Sequence, residues 1–151
     1  MSLVAARRQC SKVLLVDEQD RVLLFSGIDR TRPDVPPWWF PVGGALEPNE
    51  TLARAAIRET HEETGLAITD PGPIVFSRRI HWEFEGQEYD QEEWFFVVRT
   101  PMFEPTSSGW TDTEVATMRG WRWWSVEDLR STQDDVFPED LADRLERLLA
   151  G

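Results

Sequence analysis

The sequence has few of the features that mark secreted, membrane-bound or cross-linked proteins. Its single cysteine, Cys10, cannot form an internal disulfide. No apolar stretch approaches the roughly 20 residues that a bilayer-spanning helix needs. No opening segment combines a basic region with a long apolar run and a cleavage site. We therefore expect a cytoplasmic protein that does not bind membranes.

Basic residues are also scarce. Lys and Arg total 16 against 28 Asp and Glu, which gives a formal net charge of -12. Such a charge disfavours long-range attraction to a nucleic-acid backbone. We therefore expect no nucleic-acid polymer as a partner. A small anionic substrate would need divalent cations between an acidic site and its phosphates.

The chain has neither an internal repeat nor a linker that would divide it. Its 151 residues are 40% apolar and 29% charged, which is typical of a folded globular protein. A chain of this length fits one domain that buries roughly two-thirds of the surface of its unfolded form. We predict a single domain over 1–151.

Short β-rich runs alternate with turn residues along most of the sequence. The segment 27–37 holds three prolines and four charged residues, which predicts a mobile loop. Strand runs on both sides of a central helix, with a terminal helix, predict a mixed sheet covered by helices on two faces, an α/β or α+β fold. The predicted elements are a hairpin of 12–17 and 21–26, a strand at 38–42, a hairpin of 74–85 and 89–99 turning near Gly86, a strand at 121–125, and helices at 51–64 and 138–150.

The segment 51–64 is the clearest helix, because it contains three alanines and has recognisable ends. We predict that Asn49 is its N-cap and that Gly65 ends it. At 100° per residue, its apolar side chains fall on one arc that faces the core.

Three glutamates, Glu59, Glu62 and Glu63, lie on the surface next to this arc, because they are three and four residues apart. Glu63 is at the edge of the apolar arc, where an unpaired carboxylate is costly to desolvate, so a positive group should lie beside it. Converging carboxylates suit a hard divalent cation such as Mg²⁺, which prefers oxygen ligands. The alternative is the solvated acidic face of an ordinary helix.

The glutamates belong to a longer pattern, GALEPNETLARAAIRETHEETGL, over residues 44–66. This pattern resembles the box of the Nudix hydrolase family, Gly-x5-Glu-x7-Arg-Glu-aliphatic-x-Glu-Glu-x-Gly-aliphatic. The single departure is Thr60, which stands where the family has an aliphatic residue on the buried side of the helix. The segments 38–50 and 120–129 also resemble the corresponding family segments, although Val42 and Asn49 differ from the commoner version.

The resemblance implies a Nudix-like α/β/α sandwich with a mixed central sheet. It also implies a metal-dependent hydrolase that cleaves the pyrophosphate bond of a nucleoside diphosphate linked to another moiety. Mg²⁺ or Mn²⁺ would be bound by Glu59, Glu62, Glu63 and the Gly44 carbonyl, and a metal-activated water would attack phosphorus. Arg58 would orient the glutamates by ion pairing, and Glu50 would support the loop and the start of the helix.

The general base varies across the family, and Glu93, Glu92 and Glu114 are the candidates here. Arg32, Trp39 and Arg79 are candidates for binding the substrate. The substrate itself stays open between a nucleotide, a nucleotide sugar and a modified nucleoside triphosphate.

Several alternatives remain at this point. A Nudix-fold module could sense a nucleotide without cleaving it, and the fold also serves isomerases and RNA-processing hydrolases. Retention of all three glutamates favours catalysis, and the acidic composition counts against RNA. The aromatic run 94–98 could serve a homodimer interface or a core.

Overall fold

The computed structural model describes residues 5–151. Its strands are β1 (Ala6–Val16), β2 (Val22–Gly27), β3 (Trp38–Ala45), β4 (Phe76–Phe84), β5 (Gln87–Arg99), β6 (Met118–Trp124) and β7 (Asp135–Val136). Its helices are α1 (Leu52–Thr64), α2 (Asp112–Thr117), α3 (Val126–Ser131) and α4 (Leu141–Ala150). Among the described residues, no helix combines the length and the apolar character that crossing a membrane requires.

The strands form one mixed sheet in the order β4-β5-β1-β2-β3-β7, and β6 pairs with β2. Strand β1 runs parallel to β5 and antiparallel to both β2 and β3. Strands β4 and β5 form the predicted second hairpin. The prediction of a mixed sheet covered by helices is confirmed.

Both sides of β1 are buried in its second half, because alternate side chains enter different cores. Val13 and Leu15 belong to one apolar cluster, which also contains Ala56 of α1. Leu14 and Val16 belong to a second cluster, which contains residues of α4. This double burial fixes β1 firmly, and its polar first half is therefore held in place beside α1.

Helix α1 begins at Leu52, one residue later than the sequence predicts, and its N-cap lies two residues later. The N-cap is Thr51, whose hydroxyl accepts a hydrogen bond from the Arg54 amide at 3.1 Å. The prediction of Asn49 as the cap is wrong, because Asn49 adopts a left-handed turn conformation with φ 64°, which asparagine tolerates. Gly65 ends the helix as predicted, with φ 84° and its amide bonded to the His61 carbonyl.

Gly27 ends β2, and the rest of the predicted loop, 28–37, has no regular structure but contacts the turn between β4 and β5. The Glu85 amide donates to Asp29 Oδ2 at 3.0 Å, and Arg32 donates to the Glu83 carbonyl at 2.7 Å. Arg30 pairs with Glu85 at 2.6 Å. The predicted mobile loop is therefore a segment with specific long-range contacts.

Three short elements were not predicted from the sequence. Helices α2 and α3 have six residues each, and β7 has two, which is too short for a periodic pattern to stand out. Both helices begin with a capping box, at Thr111 and Ser125. This Ser/Thr-x-x-acid signature was the signal that could have located them.

Candidate active site

A cleft of about 1200 Å³ lies beside the C-terminal half of α1. Its walls combine the three glutamates of α1 with polar side chains of β1, β4 and β5 and with Glu114 of α2. Aromatic side chains from β3 and the β4–β5 hairpin complete it: Trp38, Phe40, Trp82, Phe84 and Tyr89.

Glu63 is the most buried of the α1 glutamates, with 2% of its surface exposed. Its Oε1 accepts a hydrogen bond from the Gly43 amide at 2.6 Å. Burial raises the pKa of Glu63 well above its ordinary value, the charge of Lys12 opposes that rise, and the charge of Glu59 adds to it. Burial likewise raises the pKa of Glu59, against the effect of Arg58. The site therefore favours a positive charge beside these carboxylates.

Arg58 connects the glutamates to the loop that precedes α1. Its Nη1 donates to Glu59 Oε1 at 2.8 Å and to Glu62 Oε2 at 3.1 Å. Its Nε and Nη2 donate hydrogen bonds to the two oxygens of the Glu50 carboxylate, and Nη2 also donates to the Ala45 carbonyl. All of its nitrogens are engaged by the protein, so Arg58 makes the predicted ion pairs with the glutamates.

Two glycines of β3 allow close approaches, Gly43 to β1 and Gly44 to α1. Gly43 has φ 141°, and a Cβ there would lie 2.8 Å from the Lys12 Cα. A Cβ on Gly44 would lie 2.7 Å from the Glu59 carboxylate. Only glycine leaves room for that carboxylate against the backbone.

Two of the three candidate bases line the cleft. Glu114 is close enough for its charge to raise the pKa of both Glu59 and Glu63. One of its oxygens, Oε1, accepts from the Thr111 amide at 2.9 Å. Glu93 lies on the cleft floor, whereas Glu92 faces a separate groove on the other side of β5.

One of the three substrate-binding candidates, Arg32, lines the cleft. Trp39 packs instead against Trp124 with a ring separation of 5.0 Å, and its indole donates to Asp134. Arg79 is exposed and pairs with Asp90 at 2.6 Å. The structure does not bring Trp39 or Arg79 into the cleft, because successive strand residues point to opposite sides.

Sequence reasoning missed Lys12, the only lysine in the chain. Lys12 lies opposite Gly43 in the β1–β3 register and lines the cleft. It is a positive group near Glu63, as the burial of that carboxylate demanded. No local pattern could have identified it, because its position depends on strand pairing across about 30 residues, from 12 to 43.

Among residues 5–151, no three His, Cys, Asp or Glu side chains form a ready-made metal cage. The glutamates of α1 nevertheless suit Mg²⁺, because they offer oxygen donors and the Gly44 backbone accommodates the Glu59 carboxylate. Mg²⁺ is commonly bound through one or two carboxylates, with water and substrate phosphates as its other ligands. The residues present therefore fit a divalent cation that is held jointly by protein and substrate.

Comparison with known proteins agrees with this geometry. The sequence profile of the NUDIX domain matches residues 6–145. The chain is similar to an RNA pyrophosphohydrolase of Novosphingobium aromaticivorans, with 32% identity over 132 residues that cover 81% of this chain and 80% of the relative.

Solved structures share the fold. The MutT protein of Methanosarcina mazei superposes with a TM-score of 0.66 at 21% identity, covering 99% of this chain and 97% of that one. The dihydroneopterin triphosphate pyrophosphohydrolase of E. coli superposes with a TM-score of 0.65 at 17% identity, covering 97% and 98%.

Proposed function

The chain belongs to the Nudix family, and from this premise we propose that its acidic cleft hydrolyses the pyrophosphate bond of a nucleotide-linked substrate. The observation that carries the proposal is the convergence of Glu59, Glu62 and Glu63 on one cleft, with Arg58 bonded to two of them. An arrangement that only stabilised the helix would not need three neighbouring carboxylates, because like charges on one helix surface repel.

We assign the α1 glutamates and the Gly44 carbonyl to binding a divalent cation, Mg²⁺ or Mn²⁺. When bound, such a cation neutralises phosphate charge and lowers the pKa of a water molecule. Arg58 holds Glu59 and Glu62 in place, and Glu50 holds Arg58. The Gly43 amide orients Glu63 toward the cleft. Each of these contacts fixes a carboxylate before the substrate arrives.

Among the three candidates, we propose Glu114 as the general base that accepts the proton of the attacking water. Glu114 is near Glu59 and Glu63, and it has a carboxylate oxygen that the Thr111 amide does not use. Glu93 has both oxygens engaged by other side chains, and Glu92 lies outside the cleft. Loss of a positioned base costs a reaction roughly 10²- to 10⁴-fold, so Glu114→Gln should lower kcat within that range.

For the substrate, we propose a free nucleotide or nucleotide derivative rather than the end of an RNA chain. The relatives named RNA pyrophosphohydrolases make RNA the alternative to test. The net charge of -12 supports the free nucleotide, since it opposes attraction of a polyanion. We also propose that the protein acts in the cytoplasm as a single domain over 1–151, and a homodimer stays a prediction.

The test measures product release from nucleoside di- and triphosphates, nucleotide sugars and 5′-triphosphorylated RNA, with Mg²⁺ or Mn²⁺. The native protein is compared with Glu63→Gln and with Glu127→Gln, which alters an exposed glutamate of α3. We expect turnover that Glu63→Gln lowers on the order of 10³-fold through loss of metal binding, while Glu127→Gln retains it. If no compound turns over with either metal, the hydrolase proposal fails; preferential turnover of RNA would overturn the substrate assignment.

A further inference from the structure

Glu93 is 3% exposed although it carries a carboxylate on the cleft floor. Its Oε1 accepts from Arg78 Nε at 2.6 Å, and its Oε2 accepts from Gln91 Nε2 at 2.5 Å. A buried carboxylate with both oxygens occupied holds its donors in fixed positions. Glu93 therefore fixes the side chain of Arg78.

Gln91 connects Glu93 to a second arginine, Arg8. Its Oε1 accepts from Arg8 Nε at 2.5 Å and from the Trp82 indole at 3.2 Å. The Arg8 guanidinium also lies 3.9 Å from the centre of the Tyr89 ring, a cation–π contact. Arg8 and Arg78 are thus held by one buried network along β5.

Both arginines keep donors for a ligand. Among the described residues, each uses only its Nε in a hydrogen bond to the protein, and both side chains line the cleft. Strand β5 lies between β1 and β4, with Arg8 beside Gln91 and Arg78 beside Glu93. The two guanidinium groups therefore flank one stretch of the cleft floor, where two positive charges face one carboxylate.

The register also places this basic stretch relative to the α1 glutamates. Cys10 of β1 pairs with Glu93 on one side and with Ala45, the neighbour of Gly44, on the other. Two strand spacings thus separate Glu93 from Ala45, a distance of roughly 10 Å. This separation is short enough for one substrate in the cleft to contact side chains from both places.

We propose that Arg8 and Arg78 form a second anion subsite, which binds a phosphate group of the substrate beyond the pyrophosphate bond that is cleaved. Glu93 and Gln91 are positioning residues that direct the free guanidinium nitrogens into the cleft. The substrate class is then a nucleoside triphosphate or another compound with a phosphate outside the scissile pair. This inference rests on the proposed hydrolase activity.

A phosphate fits the subsite better than a base does. Guanidinium groups bind phosphate oxygens through paired, charge-assisted hydrogen bonds. In a chain of net charge -12, two neighbouring arginines that line a cleft beside one carboxylate are a local excess of positive charge that an anion matches. The neighbouring Trp38, Trp82 and Phe84 rings offer apolar surface for the rest of the substrate.

The test compares Arg78→Met with Arg79→Met, its neighbour on the exposed side of β4. KM and kcat are measured for a nucleoside triphosphate and for the matching diphosphate. Calorimetry measures binding of inorganic tripolyphosphate and of pyrophosphate in the presence of Ca²⁺. We expect Arg78→Met to raise KM for the triphosphate about 10-fold or more and to weaken tripolyphosphate binding similarly, since a charge-assisted pair is lost. We expect kcat, the diphosphate KM and pyrophosphate binding to change little, and Arg79→Met to match the native protein.

Glu93→Gln tests the positioning role. We expect it to raise the triphosphate KM in the same direction while leaving the pH profile of kcat unchanged, which a general base would not allow. Because Arg78→Met leaves Glu93 buried without its cation, the double variant Arg78→Met/Glu93→Gln provides a form with no such unpaired charge.

Three outcomes overturn the subsite: no tripolyphosphate binding by the native protein, no effect of Arg78→Met, or an equal effect on both nucleotides, which would mean that Arg78 contacts a part of the substrate that both nucleotides share. If tripolyphosphate binding depends on Arg78 but no compound in the panel is hydrolysed, the subsite is supported and the hydrolase proposal fails.

Discussion

Arg58 holds the Glu50 carboxylate through two parallel hydrogen bonds, from Nε to Oε2 and from Nη2 to Oε1, each 2.8 Å long. The side-chain hydrogen bond and charge of Arg58 hold the pKa of Glu50 below its ordinary value, against the effect of burial. The same guanidinium reaches Glu59 and Glu62 through its remaining nitrogen. The loop before α1 and the carboxylates of its last turns are thus fixed by one side chain.

Arg58→Lys should lower kcat about 10- to 100-fold, the usual cost of losing a residue that orients metal ligands. A lysine keeps the charge, but its ammonium cannot make the planar pair with Glu50 and also reach Glu59. Arg54→Lys, an exposed change on the same helix, is the control. Metal affinity measured by calorimetry should fall in Arg58→Lys and stay unchanged in Arg54→Lys; equal affinities would contradict the orienting role.

Gly44→Ala should reduce activity while leaving the fold intact. The added methyl would lie 2.7 Å from the Glu59 carboxylate, which is the end of a side chain and can move aside. We expect a drop in kcat of about 10-fold or more from the displaced ligand, with little change in the urea midpoint. At Gly109 an added methyl would instead lie 2.5 Å from the Glu62 carbonyl oxygen. Gly109→Ala should therefore lower the urea midpoint, and unaltered kcat in Gly44→Ala would refute the close approach.

Thr60→Val should stabilise the protein by on the order of 1 kcal/mol. Thr60 is fully buried, and its hydroxyl has no hydrogen-bond partner in the described part of the chain. Valine has the same shape without the polar group. Thr64→Val is the matched comparison, because the Thr64 hydroxyl donates to the Thr60 carbonyl at 2.6 Å and accepts from the Leu66 amide. Urea unfolding should move the two midpoints in opposite directions; a lower midpoint for Thr60→Val would show that its hydroxyl is satisfied.

Asp29 should make stability depend on acid pH. Burial opposes its ionisation, but hydrogen bonds from Thr31, Glu85 and Arg32 outweigh burial and hold the pKa of Asp29 well below its ordinary value. The ionised carboxylate therefore contributes stability above the unfolded pKa, about 3.9, and this contribution is lost as the pH falls from there toward the folded pKa.

Asp29→Asn removes this dependence. We expect the variant to be less stable at pH 7 and to lose stability less steeply below pH 4, by up to about 1.4 kcal/mol per pH unit. Unfolding free energies at several pH values measure the slope, and Asp34→Asn in the exposed part of the same segment should keep the native slope. Identical slopes for Asp29→Asn and the native protein would rule out this account.

The site on α1 could be predicted from the sequence because its residues are close together in the chain. Gly44, Glu50, Arg58 and the glutamates lie within 20 consecutive residues, and helical geometry determines that Arg58 and the three glutamates share one part of the helix surface. The N-cap was predicted two residues too early, because two nearby residues fit the cap pattern. Asn49 and Thr51 are both good caps, and only the backbone conformation separates them.

The strand residues of the cleft could not be chosen this way, because a shift of one residue reverses the side. Trp39 and Arg79 were candidates, whereas their neighbours Trp38 and Arg78 line the cleft. Pairing between strands determines which of two neighbouring residues points into the cleft, as the pairing of Arg78 with Glu93 does for β4. No pattern within a single segment contains that information.

The position of Lys12 has a practical consequence for following this protein in solution. It is the only lysine in the chain, and its side chain lies in the cleft. An amine-reactive reagent therefore has a single side-chain target in the entire molecule. Protection of that one side-chain amine, read by mass spectrometry, reports how much of the cleft is occupied without an engineered residue.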